Sequence, residues 1–431
     1  MKIILKTMFS EGFIFALFIL AGYFKASVEN SPIDITLLLL LFSVTLYLNR
    51  LIRTGFKLPK FVLTPLILFS VLVLFVLIGY SYTSSVIYSE QKLILFFVST
   101  IWCFIGGIVT ISSKGELSNF LLGILTVSIF MAFSTFYTFF TNQLIELGFV
   151  SVLGSNYIML GRASAFGLII LISYYFFKTS TFFLKILIVL LIMITLFPLV
   201  VSGGRLPLLA FAITILFLPL FMIKITKASI CLSKSFKKIF ILIILIITGG
   251  IVAIRNGWLD TFIYRFALLS NAQFLDEGRS DRFNVAFEMI KDNIIFGKGL
   301  GSFPIYYSGT DGEDYPHNLF LEIWSELGLI PTLACIALVF LAYYRGFLVY
   351  SKMYENFDHN QISIFLLNLF GFINLFISAS INNSKFFWAF LGIMCVTPFI
   401  TQKQDFHIVE NHQNRVQEPS NSNKIQPRSN V

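Results

Sequence analysis

The chain has 431 residues; 57% are hydrophobic and only 12% charged, about half the charged share of a soluble domain. Its 51 phenylalanines run through the whole sequence, so the apolar excess belongs to the entire protein and excludes a water-soluble surface. The net charge of +9 sits between apolar runs and reads as membrane orientation; nothing resembles a nucleic-acid-binding module.

A membrane-spanning helix needs about 20 mostly apolar residues. In chain order, apolar cores stand at 13–23, 35–48, 61–80, 93–111, 120–140, 165–177, 182–201, 206–223, 240–254, 329–344, 362–381 and 386–400. The first of these follows Lys2 and Lys6, as in a signal peptide. With no small-residue cleavage site it is read as a membrane helix. The fold class expected is therefore all-α, polytopic, with about 12 spans. With both termini cytoplasmic, the inside segments hold most lysines and arginines. The short outside segments hold Lys25, Lys92, Arg162, Arg205 and Lys385. The organisation expected is nine spans in 1–255, one large outward loop at 256–328, three spans in 329–400, and a disordered cytoplasmic tail at 401–431. Three cysteines, Cys103, Cys335 and Cys395, lie in apolar runs, and Cys231 lies in a short basic connection. None has metal-ligand spacing.

The outward loop is far longer than a connection requires, and such loops are usually functional. From Asp281 to Asn293, Phe283, Ala286, Phe287 and Ile290 recur at helical spacing, opposite Arg282, Glu288, Lys291 and Asp292. This predicts a short amphipathic helix lying on the membrane surface or on the spans. It stops in Gly297-Lys298-Gly299-Leu300-Gly301, read as a tight turn because neither a strand before it nor a helix signal directly after it makes a phosphate loop. Next comes Tyr315-Pro316-His317-Asn318. Asn318 is placed to cap a helix over 319–328, which sets His317 just ahead of a helix start.

Of four histidines, His359, His407 and His412 fall on cytoplasmic segments, so His317 alone faces outward. Arg162, Arg205, Arg279 and Arg282 are the cationic candidates. Each is open to a plainer reading, as an interfacial or solvated charge. Were they to converge, planar guanidinium groups would match phosphate oxygens bidentately. Asp311, Glu313 and Asp314 match no metal loop and read as a solvated turn. Glu322 and Glu326, one helical turn apart, are placed to orient a basic partner.

These blocks resemble the O-antigen ligase and polymerase family of bacterial envelope glycan assembly. The resemblance rests on Ser202-Gly203-Gly204-Arg205 with Leu206-Pro207-Leu208-Leu209-Ala210; on Gly278-Arg279, the loop helix and Gly297 to Phe303; and on Tyr315-Pro316-His317-Asn318 through Glu322 to Gly328. Phe283 stands where the family often has Trp, and Ile294 where Pro is common. Arg162-Ala163-Ser164-Ala165-Phe166 matches its family block only in part.

What the resemblance implies is a metal-independent glycosyltransferase without cofactor, in the bacterial inner membrane with its site facing the periplasm. The donor would be a glycan on undecaprenyl pyrophosphate, and the acceptor a glycan or lipid A core. By the family pattern Arg205 and Arg279 bind the pyrophosphate and His317 assists the acceptor hydroxyl. Arg282, Arg162, Asn318 and Glu322 are added as substrate-binding candidates. Polymerisation of O-antigen or other surface-polysaccharide repeat units is the first expectation. Ligation to lipid A core or protein is the alternative, and transport of the lipid-linked glycan the third. A chain-length regulator is left open as a partner.

Overall fold

The computed structural model describes residues 2–25, 34–55, 59–141, 150–178, 180–225, 230–232, 236–255, 257, 279–352 and 358–416. The helices are α1 (Lys2–Met8), α2 (Glu11–Leu20), α3 (Ile35–Thr54), α4 (Leu63–Ser81), α5 (Ile87–Leu95), α6 (Ile101–Val109), α7 (Lys114–Phe140), α8 (Tyr157–Phe177), α9 (Phe182–Val201), α10 (Arg205–Leu216) and α11 (Phe236–Arg255). They continue with α12 (Arg279–Asp292), α13 (Phe303–Ser308), α14 (Leu319–Leu327), α15 (Leu329–Lys352), α16 (His359–Leu375) and α17 (Lys385–Val416). The fold is that of a helical polytopic membrane protein. Between α10 and α11 a small antiparallel ribbon, β1 (Ile223–Ile225) with β2 (Ile230–Leu232), pairs Ile223 with Leu232; the hydropathy pattern held no sign of it.

Each of the twelve apolar cores read from the sequence overlaps a helix, but that at 362–381 outruns α16, which ends at Leu375. Among the described residues, eight helices have the length and apolarity to cross a membrane, while Glu11–Tyr23 and Lys385–Ile400 are apolar but shorter. The tail anticipated beyond residue 400 falls partly on the end of α17; residues 417–431 lie outside the described ones. So do 256 and 258–278 of the large loop, including Gly278.

The bundle is built around α8, whose apolar window is 78% buried, against 11% for the peripheral α3. On α3 and α9, Leu38, Ile52, Phe182 and Phe183 are all more than half exposed, a surface that only lipid can cover. The centre is filled by Trp388, Phe387, Phe390 and Leu391 of α17 with Phe104 of α6 and Phe166 of α8, all fully buried. Glycines set the closest approach. A Cβ at Gly392 would lie 2.4 Å from the Phe104 carbonyl oxygen, and one at Gly107 would lie 2.5 Å from that of Ala389. Small residues let α6 and α17 pack backbone to backbone, the usual means of helix association in lipid.

Candidate active site

The described part of the large loop folds into α12, the glycine turn, α13 and α14. Helix α12 buries Ala286 and Ile290 of the expected stripe together with Met289, whereas Phe287 is 47% exposed. Ala286 and Met289 pack with Phe303 of α13, flanked by Val285, Tyr307 and Leu321. So α12 rests on the loop's own helices, which shifts its buried stripe by part of a turn. Gly297, Gly299 and Gly301 all have positive φ, as a tight turn requires. A Cβ at Gly299 would stand 2.4 Å from the Thr83 Cα, so only glycine lets the turn press onto the end of α4.

Asn318 caps α14, its Oδ1 accepting from the amides of Phe320 (3.0 Å) and Leu321 (3.2 Å). Just ahead of it, His317 is held at φ 60°, a left-handed conformation that costs a side-chain-bearing residue ~1–2 kcal/mol. Its ring meets that of Tyr315 edge-on, centroids 4.4 Å apart. Desolvation, then the charges of Arg282 and Arg279 against an opposing pull from Asp314, hold the imidazole below its usual pKa of 6.5. Near neutral pH, His317 is therefore an unprotonated base beside two guanidinium groups.

Arg282 is held in turn. Its Nε and Nη2 each stand 3.3 Å from the Asp314 carboxylate, and its guanidinium lies 4.7 Å over the Tyr307 ring. Asp314 also accepts from the Tyr315 amide at 2.8 Å. Of the acidic run, then, Asp314 and Asp311 are engaged by the protein, while Glu313 is exposed. Asp311 accepts from Ser85 Oγ (2.7 Å) and from the amides of Val86 (2.7 Å), Ile87 (2.8 Å) and Tyr88 (3.1 Å). It therefore caps α5 from across the molecule. Against a desolvation penalty, these bonds hold its carboxyl down at about 2. Among the described residues, no group of three or more His, Cys, Asp or Glu forms a metal cluster.

Arg162 is buried on α8. Its Nε donates to Asn374 Oδ1 (3.1 Å), its Nη2 donates to the Ser378 carbonyl (2.8 Å), and it lies 5.4 Å over Phe386. It is also within electrostatic reach of Tyr315. The Tyr315 hydroxyl bonds to Asn383; burial first, then the Glu322 charge, raises its pKa. Tyr315 thereby joins the Arg162 group to the His317 group. Arg205 opens α10, two residues ahead of Pro207, and a Cβ at Gly161 would meet Pro207 at 3.0 Å and Ser202 at 3.3 Å. The Ser202–Arg205 turn therefore packs next to Arg162. Arg279 begins α12, one helical turn before Arg282.

Glu322, whose charge reaches Tyr315, is itself 1% exposed. Its Oε1 is 2.6 Å from Lys92 Nζ and its Oε2 accepts from the Ile381 amide at 2.9 Å. Glu326 accepts from Lys92 (2.6 Å) and from the Gly301 amide (2.8 Å). Lys92 is thus the basic partner that the spacing of the two glutamates anticipated. In sequence it passes for an interfacial lysine; only the burial of its side chain marks it.

The fold and this arrangement define a polytopic membrane protein in which a loop-borne imidazole and guanidinium groups meet beside the bundle. Residues 188–337 match the family model described as O-antigen ligase. The match takes in Arg205, Arg279, Arg282 and His317, whereas Lys92 and Arg162 lie outside it. No curated protein matches the chain.

Proposed function

We propose that the protein is a membrane glycosyltransferase that polymerises undecaprenyl-pyrophosphate-linked oligosaccharide repeats of O-antigen or another surface polysaccharide, with its site on the outer face of the inner membrane. The observation that carries this reading is His317, set at the head of α14 within electrostatic reach of Arg282 and Arg279, its pKa lowered by burial and by their charges. An acceptor sugar hydroxyl attacks the anomeric carbon of the carrier-linked glycan while its proton passes to the His317 imidazole. The bond from anomeric carbon to pyrophosphate oxygen breaks, and its electron pair leaves on undecaprenyl pyrophosphate.

The leaving group is already good, so neutralising its charge is the main demand on the protein. Arg279 and Arg282 are the first partners for that charge, with Arg205 and Arg162 lining the approach. A positioned base adds roughly 10²–10⁴-fold. Asn318 fixes the helix start behind the base, and Glu322 holds that helix from within the bundle. No metal enters these steps.

The Tyr315-Pro316-His317-Asn318 block and the Leu319-Phe320-Leu321-Glu322 run favour polymerase. The ligase description of the matched family favours a second reading, transfer to lipid A core or protein. Glycan analysis of a deletion strain separates them. Lipid A core bearing at most one repeat supports polymerase, and long chains accumulating on the carrier support ligase.

A further inference from the structure

Between α12 and the glycine turn the chain carries three consecutive apolar side chains in the open. Ile294, Ile295 and Phe296 are 50%, 53% and 48% exposed. Polar residues close the base of this finger: Lys298 pairs with Asp292 at 2.9 Å, one on each side of it.

The finger lies against spans. The Leu329 amide, first in α15, donates to the Ile294 carbonyl at 3.0 Å. The Phe296 ring stacks on Phe75 of α4, centroids 6.5 Å apart and planes at 21°. Phe75 precedes Ser81, the last residue of α4, by about 9 Å of helix. The Phe296 ring therefore reaches past the end of the span, where its carbonyl meets Tyr82, toward the span's interior. Leu74 and Leu77 on α4, and Ile330 and Leu333 on α15, are 45–54% exposed and extend the same apolar surface.

Part of the finger's backbone is paired within the protein, which lowers the cost of entering hydrocarbon, where water supplies no hydrogen bonds. The Ile294 carbonyl takes a second bond from Trp324 Nε1 at 3.2 Å, and the Phe296 carbonyl accepts from the Tyr82 hydroxyl. The Phe296 amide donates to Asn293 Oδ1 (3.3 Å) and that of Gly297 to the Asn293 carbonyl (3.0 Å). Tyr82 and Trp324 are the amphipathic aromatics that favour the membrane–water boundary.

We propose that residues 294–296 form a membrane-immersed finger whose partner is the acyl-chain region of the bilayer leaflet on the His317 side. The finger fixes the height of α12, which ends at Asp292, and so sets Arg279 and Arg282 at the level of lipid phosphates.

The test uses the full chain, its four cysteines replaced by alanine, in nanodiscs of phosphatidylethanolamine and phosphatidylglycerol. Nitroxide labels are placed at Ile295→Cys, at Ile294→Cys as a second probe, and at Glu288→Cys on the exposed face of α12. Power saturation should give an oxygen-to-nickel-chelate accessibility ratio severalfold higher at 295 and 294 than at 288. Equal ratios at the three positions, or a nickel chelate that relaxes 294 and 295 freely, would overturn the proposal.

Discussion

Lys92 Nζ stands 2.6 Å from Glu322 Oε1, and both side chains are almost wholly buried, at 2% and 1% exposure. Glu326 completes the cluster from the next turn of α14, so one ammonium faces two carboxylates in a dry interior. Breaking a buried pair leaves an uncompensated charge and costs about 3–5 kcal/mol, whereas removing all its charges together is often neutral. Lys92→Met is therefore expected to lower the thermal midpoint in detergent severely. Adding Glu322→Gln and Glu326→Gln to it is expected to restore most of the loss. A single Lys92→Met variant that melts like wild type contradicts this account of the cluster.

The same cluster makes stability depend on pH. Burial pushes the Glu322 carboxyl from 4.5 up to about 7, with Lys92 pulling the other way. A group whose folded pKa is raised favours the folded state fully below its unfolded value and loses that contribution as pH rises through the folded value. Stability is thus expected to fall between about pH 4.5 and 7. Glu322→Gln, which keeps the Lys92–Glu326 pair, should flatten that decline in melting curves taken across the range.

The proposed base role of His317 predicts an acid limb in transfer rate. Desolvation first, then Arg282 and Arg279, keeps its pKa below 6.5, so activity should decline only below that value. Arg282→Gln removes one of the depressing charges and frees Asp314 to favour the imidazolium. Its limb is expected to move to higher pH in a rate profile under saturating donor. An unmoved limb would separate Arg282 from the electrostatics of His317.

Asp311 gathers the first amides of α5 and so connects the loop to the bundle. Losing a capping carboxylate costs about 0.5–2 kcal/mol. Asp311→Ala is expected to lower stability by that order. It should also raise hydrogen exchange at Val86, Ile87 and Tyr88 without touching amides in α8. Because its carboxyl is held at about 2, the cap should persist through mild acid and fail only as pH falls toward that value.

Much of this was legible locally. Apolar runs located the membrane helices, Asn318 announced its cap, and the glycine cluster its turn, because each signal sits within or next to what it determines. The rest depends on partners far apart in the chain. Lys92 and Glu326 are 234 residues apart, and Asp311 and Ser85 are 226 apart, so neither contact leaves a local trace. The buried face of α12 was legible only in part, for a related reason. Periodicity marks an apolar stripe but not which neighbour covers it, and Phe287 belongs to the side the loop leaves open. The left-handed backbone at His317 has no sequence mark at all, since it falls on a residue with a side chain.

The most direct measurement is transfer by purified protein in detergent, with a defined carrier-linked repeat as donor and acceptor, comparing wild type with His317→Ala at matched thermal midpoints. The account expects elongated carrier-linked glycan from wild type and a rate lower by roughly 10²–10⁴-fold in the variant. A folded His317→Ala protein that elongates the glycan at the wild-type rate would contradict it.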